Sequence, residues 1–150
     1  MNNVYLKDLA KIQIGISAPN QFDVKNEDSV PFIRAGLLEE LCNNNEKFLE
    51  FLNKNKYRTV PKNTVIFAKS GMSALKDRIY TTKSECVIVG HLAGVICDET
   101  RLMPKYLEYY LKNNKPSKLI QNNAYPSIRS EDIENIELFL KIRLSLLKVE

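Results

Sequence analysis

The residues able to do chemistry are few, and their spacing argues against catalysis. The single histidine, His91, falls within the apolar run from Val87-Ile88-Val89 to Leu92-Ala93-Gly94-Val95-Ile96. An imidazole alone in such a strand pattern is more often structural than catalytic. A serine or cysteine nucleophile would need His91 as its base, and no local motif supplies that pairing. A metal-dependent nuclease needs two acids and a lysine on neighbouring strand positions to hold Mg²⁺. Here the acids pair at Glu39-Glu40 and Glu131-Asp132, in segments that read as helices or turns. The five glycines are too scattered for a loop that cradles phosphates. No Asn-Pro-Pro-Tyr-like stretch is present for amino methylation of a base. The expectation is a chain with no catalytic residue, no metal and no cofactor of its own.

Binding chemistry is better represented. Lys54, Lys56, Arg58, Lys62, Lys69, Lys76, Arg78 and Lys83 are opposed within their stretch only by Asp77, so it carries about +7 against +4 for the whole chain. A basic region on a nearly neutral body is the electrostatic footprint of a DNA-binding domain. A solvated lysine-rich face would have the same composition. Within the stretch, Lys69-Ser70-Gly71 reads as a turn closing a strand. Such a turn offers a cation, a hydroxyl and free backbone N–H groups to phosphate oxygens or base edges. Gly71 would admit close backbone approach. The bland alternative is a plain hairpin turn with a surface lysine. Tyr57, between Lys56 and Arg58, is the aromatic best placed to touch DNA. Tyr106, Tyr109 and Tyr110 could form a stacking platform, but Tyr110 has the helical spacing of a core residue. Tyr125, ahead of Pro126, reads as fixing a turn. The candidate DNA contacts are therefore Lys56, Tyr57, Arg58, Lys69, Ser70, Gly71, Lys76 and Arg78.

These residues need a scaffold, and the apolar pattern outlines one. Leu6 to Ala10 reads as a helical turn, and Ile12, Ile14 and Ile16 alternate as a half-buried strand. A polar loop from Gln21 to Ser29 precedes extended Val30 to Arg34, where Pro31 predicts a sheet edge or strand start. Leu37 to Asn53 has helical spacing broken at Asn43-Asn44-Asn45, predicting two short helices. Val60 to Ala68, Arg78 to Thr81 and Cys86 to Ile96 read as strands, the last as a buried pair. Met103 to Lys112 is the clearest helix, with Pro104 in its first turn, where a missing N–H costs nothing. A short helix follows Pro116, Ser130 caps a turn running through Ile133, and Ile136 and Leu138 begin a last piece. Helices and strands without strict βαβ order predict an α+β fold: a single compact domain, a mixed or antiparallel sheet, and short flanking helices.

Length and composition agree with one soluble domain. At 150 residues with 44% hydrophobic and 27% charged residues, the chain is neither disordered nor a disulfide scaffold. Cys42, Cys86 and Cys97 are odd in number and fit no zinc or redox spacing, so they read as reduced thiols, the latter two buried in strands. Met1-Asn2-Asn3-Val4 lacks the start of a signal peptide, and no apolar run approaches the ~20 residues of a membrane span. A cytoplasmic location is expected.

Taken in order, several segments resemble the target-recognition domain of type I restriction–modification specificity subunits. Val4-Tyr5-Leu6-Lys7-Asp8-Leu9-Ala10-Lys11-Ile12, with Gly15 following, is similar to the opening of that family. Val30-Pro31-Phe32-Ile33-Arg34 resembles its next strand, and Val60 to Gly71 its strand and glycine turn. Leu102 to Leu111 resembles its helix, and Ala124 to Ile136 its closing run. The likeness covers residues 4 to 138 and rests on order and spacing.

The resemblance implies a non-catalytic protein that reads one half of a split DNA target. The partners it implies are double-stranded DNA and modification subunits that methylate adenine with S-adenosylmethionine, with a restriction subunit beyond them; no membrane is involved. Base edges would be read in the major groove by Arg, Lys, Asn and Gln. A family member normally has two recognition domains separated by long helices. Here Glu137 to Arg143 has no proline and the sequence ends at Glu150. The expected organisation is a recognition domain at 1–138 and, at 139–150, the stub of a spacer helix or a C-terminal extension. A homodimer is compatible with one half per chain. Two other readings compete: a degenerate module that docks on modification subunits without reading DNA, and a small Mg²⁺-dependent nuclease.

Overall fold

Apolar runs too short for helices become strands here, and the longer run after Leu102 becomes the main helix. The computed structural model describes residues 3–122 and 124–139. In chain order the strands are β1 (Asn3–Tyr5), β2 (Ala10–Ile14), β3 (Ser29–Ile33), β4 (Glu50–Asn53), β5 (Val65–Ala68), β6 (Tyr80–Thr81), β7 (Val87–Ile88), β8 (Leu92–Cys97) and β9 (Glu137–Phe139). The α-helices are α1 (Leu38–Cys42), α2 (Pro104–Asn113) and α3 (Ser130–Glu134), and short 3₁₀ turns link several elements.

The central sheet has the order β2-β8-β5-β6 and is antiparallel throughout. A second sheet, β4-β3-β7, pairs β3 antiparallel to β4 and parallel to β7. β1 and β9 form a two-stranded ladder. The domain is α+β, with its strands divided among three sheets rather than gathered in one.

Two hydrophobic clusters sandwich the central sheet. Strand alternation sends Ile66 and Ala68 of β5 into one cluster, with Phe32, Leu52, Val87 and Leu92. Val65 and Phe67 enter the other, with Val95, Leu107, Leu111, Ile128, Ile133 and Leu138. β5 is thus buried on both faces, which explains its uninterrupted apolar sequence. Each fully buried Leu, Ile or Phe contributes about 1.5–3 kcal/mol. α2 turns Tyr106, Leu107 and Leu111 inward and leaves Tyr109 exposed.

Gly15 lets the two sheets meet. Its N–H donates to the Leu92 carbonyl in the central sheet, and the next residue, Ile16, donates to Ile88 in the other. A Cβ at position 15 would collide with the backbone carbonyl oxygens of Val89 and Ile88.

The structure corrects four expectations. Of the two helices predicted over Leu37 to Asn53, only the first forms; Glu50–Asn53 is β4, because Leu52 and Phe51 pair with Val30 and Pro31. Left-handed Asn44 (φ 61°) breaks the helix, and Phe48 is exposed rather than part of an apolar stripe. Pro31 lies in the central strand of its sheet, not at an edge. Its missing N–H costs no ladder bond there: opposite Phe51, whose carbonyl accepts from Asp23, it faces away from β4, and pairing with β7 begins only at Phe32. The strand expected from Val60 is confined to Val65–Ala68, since Asn63 takes a left-handed turn at φ 70°. Ser130 is the first residue of α3 rather than its cap; Arg129 precedes it and binds Asp132 through Nε and an NH2 group. Residues 140–150, most of the expected spacer stub, lie outside the described residues.

Candidate nucleic-acid interface

One end of the central sheet collects the polar residues that the sequence scattered. In its register Ile14 faces Ala93 and Ala93 faces Phe67, so β2 ends, β8 begins and β5 ends along one row. β6 begins beside them, with Tyr80 opposite Ile66. Beyond this row stand Lys69 and Ser70 after β5, Lys76 and Arg78 before β6, and His91 before β8. Arg58 reaches the same row from a separate segment, donating from its guanidinium to the Ile14 carbonyl at 3.0 Å. Three inter-strand steps span roughly 14 Å, close to the ~12 Å width of a DNA major groove.

The turn at this end is fixed by its main chain. Lys69 N–H donates to the His91 carbonyl at 2.8 Å, and Ile128 N–H donates to the Lys69 carbonyl at 2.7 Å. Gly71 N–H donates to the Pro126 carbonyl at 2.9 Å, and Ser70 pairs with Ser127. The expectation of free N–H groups at this turn therefore fails for Lys69 and Gly71. Gly71 instead supplies a left-handed backbone, φ 77°, that leads into the 3₁₀ turn Met72–Leu75. The Ser70 hydroxyl and Nδ1 of His91 share a hydrogen bond of 2.9 Å.

The charge at this end is positive and accessible. Among the described residues no acid pairs with Arg58, Lys69 or Lys76. Arg78 meets Glu39 at 3.1 Å, with both side chains solvent-exposed. Such a pair is worth about 0–1 kcal/mol, so a phosphate can displace Glu39. Asp77, the only acid in the basic stretch, is occupied by the Ser117 backbone N–H and hydroxyl.

The remaining candidates lie elsewhere. Lys56 is in the turn after β4, at the far end of the second sheet from Val89. Tyr57 is half-buried against the first hydrophobic cluster, so its ring is not a free platform. Lys62 and Lys83 line a cleft of about 530 Å³ at the opposite end of the central sheet, with Glu99 and Lys105. The basic stretch of sequence is thus divided in space among the candidate face, the turn after β4 and this cleft.

Three residues outside the candidate set lie at the same face. His91 sits exposed in the Gly90-His91 turn rather than inside a strand. Only the Gly-His interruption between two apolar runs could have signalled this. Tyr125 is 85% exposed and so cannot fix its turn, which the Pro126–Gly71 bond holds instead. Met72, 68% exposed, follows Gly71 directly. The Gly71–Pro126 bond that brings the Tyr125 segment to this turn is long-range, and the sequence carried no signal for the exposure of Met72.

The acid pairs lie in the first turns of α1 and α3, and of the first pair Glu39 reaches Arg78 at the border of this face. Among the described residues, no group of three His, Cys, Asp or Glu could share a metal ion. No described helix is long and apolar enough to cross a membrane.

The family model for the type I restriction modification DNA specificity domain matches residues 1–140. No curated protein matches the sequence. Among solved structures, the HsdS subunit from Thermoanaerobacter tengcongensis aligns with a TM-score of 0.69 at 15% identity, over 99% of this chain and 36% of that one. A chain from a study of complex assembly and conformational transition of the type I R-M system gives 0.69 at 16% identity, again over 99% and 36%. The S subunit of the type I system from M. genitalium gives 0.61 at 14% identity, over 91% and 33%. The chain spans about a third of the length of these structures.

Proposed function

Since this chain belongs to the type I restriction modification DNA specificity domain family, we propose that it binds one half of a bipartite DNA target through the polar end of its central sheet. As a specificity domain it is not the catalytic component. The observation that carries the proposal is the convergence of Arg58, Lys69, Lys76 and Arg78 on one sheet end, with Ser70 and His91 between them. The cations hold phosphates and set register, and the neutral polar groups meet base edges. Modification subunits, docked elsewhere, would methylate the site so chosen, and a restriction subunit would act on unmodified DNA.

Duplex binding measured by fluorescence anisotropy across a salt series tests this. Four phosphate contacts predict a loss of roughly 100-fold in affinity between 50 and 200 mM salt. Replacing Arg58, Lys69, Lys76 and Arg78 together by alanine should flatten that dependence. Wild-type protein that binds no duplex at low salt, but captures modification subunits, would favour the docking module instead.

A further inference from the structure

We propose that His91 reads a base edge, presenting Nε2–H to a purine acceptor while Ser70 holds its tautomer. This rests on the DNA-binding reading above and deepens it.

The first support is placement. His91 is the only histidine of the chain and is exposed at the centre of the candidate face. Its turn is anchored from three directions: Gly90 N–H to the Ile16 carbonyl at 2.7 Å, Leu92 N–H to the Val89 carbonyl at 2.9 Å, and the His91 carbonyl to Lys69 N–H at 2.8 Å. A reading group must be held within about 0.5 Å to discriminate, and strand ends achieve this better than free loops.

The second support is the hydrogen bond to Ser70. A neutral imidazole has one donor nitrogen and one acceptor nitrogen, and the bond made by one assigns the role of the other. No ion pair ties either ring nitrogen to an acid among the described residues. With the Ser70 hydroxyl donating to Nδ1, the single ring proton sits on Nε2 and points to solvent. A lone donor of this kind suits guanine, which offers N7 and O6 as adjacent acceptors, better than adenine, whose N6 amino group is itself a donor.

The sole histidine makes the test direct. A long-range ¹H–¹⁵N spectrum of the free protein shows one imidazole, and the expected pattern has Nε2 protonated and Nδ1 bare. Ser70→Ala should return the ring to mixed tautomers. For function, wild-type protein selects from a randomised duplex pool, and the recovered site is compared with random duplex by anisotropy. His91→Ala should lower the ratio of preferred to random affinity about tenfold and erase a guanine at one position of the selected site. His91→Gln, which keeps a donor, should recover part of it.

Equal loss on preferred and random duplex would make His91 a phosphate contact and overturn the proposal, as would an unchanged selected site. Wild-type protein that selects and binds no duplex would instead sink the DNA-binding reading itself. Melting curves of both variants separate loss of contact from loss of fold.

Discussion

Gly15 and Val89 touch backbone to backbone, with no room for a side chain between them. The neighbours are carbonyls of a paired strand, so they cannot swing aside. Gly15→Ala should cost about 2–4 kcal/mol, by overpacking and displaced ladder bonds. Urea unfolding would show the midpoint shift. Gly36→Ala, where a Cβ meets nothing within 4 Å, should change stability by under about 0.5 kcal/mol.

Position, and not net charge, should govern DNA binding. Arg58→Ala with Lys69→Ala removes two charges from the candidate face, and Lys62→Ala with Lys83→Ala removes two from the far cleft. The first pair should reduce the slope of log affinity against log salt by about 2, and the second should leave it nearly intact. Equal effects in an anisotropy salt series would mean that DNA does not choose this end.

Thr82 is buried, accepts from Thr64 N–H and donates to the Pro61 carbonyl, each at 2.9 Å. Thr82→Val keeps the shape and strands a buried N–H. The expected cost is about 1–3 kcal/mol, read from thermal unfolding as a drop of several degrees.

The thiols should mark the alkaline limit of stability. Burial pushes both Cys86 and Cys97 up from 9.0 to about 12, and Glu85 and Glu99 add to the shift. The folded state therefore keeps protons that the unfolded state loses above pH 9. Each thiol then removes up to about 1.4 kcal/mol of stability per pH unit between pH 9 and 12. Below pH 9 neither contributes a slope. Stability measured against pH should flatten in this range when both are replaced by serine or alanine. In Ellman titration of the folded protein, Cys42 should react first, because it alone is exposed.

Local pattern made much of the architecture readable. Leu107, Tyr110 and Leu111 have the spacing of a helical stripe, which α2 bears out with Tyr106 buried beside Leu107 and Leu111, and the run through Val65–Ala68 reads as a strand, as β5 is. The misreading of Glu50–Asn53 arose because Leu49 and Leu52 suit a helix locally, while the need of Val30 and Phe32 for a partner strand is not a local property. At the candidate face, Lys69 and Arg78 were legible as charges near a turn. The bond between Ser70 and His91 was not, since it joins residues 21 positions apart whose meeting depends on the register of β5 with β8. Lys56 and Tyr57 failed to join the face for the converse reason: adjacency to Arg58 in sequence says nothing about which side of the sheet a turn occupies.

The ladder between β1 and β9 sets Asn3 directly across from Phe139, with the strands running in opposite directions. The polypeptide therefore enters and leaves the domain at a single seam, about 5 Å wide. Whatever precedes and follows meets the same two adjacent strand ends, whichever side chains line the distant sheet end. A body attached in this way can be exchanged as a cassette. Recombination at the seam would replace the whole sheet end while the spacing of the flanking polypeptide stays unchanged.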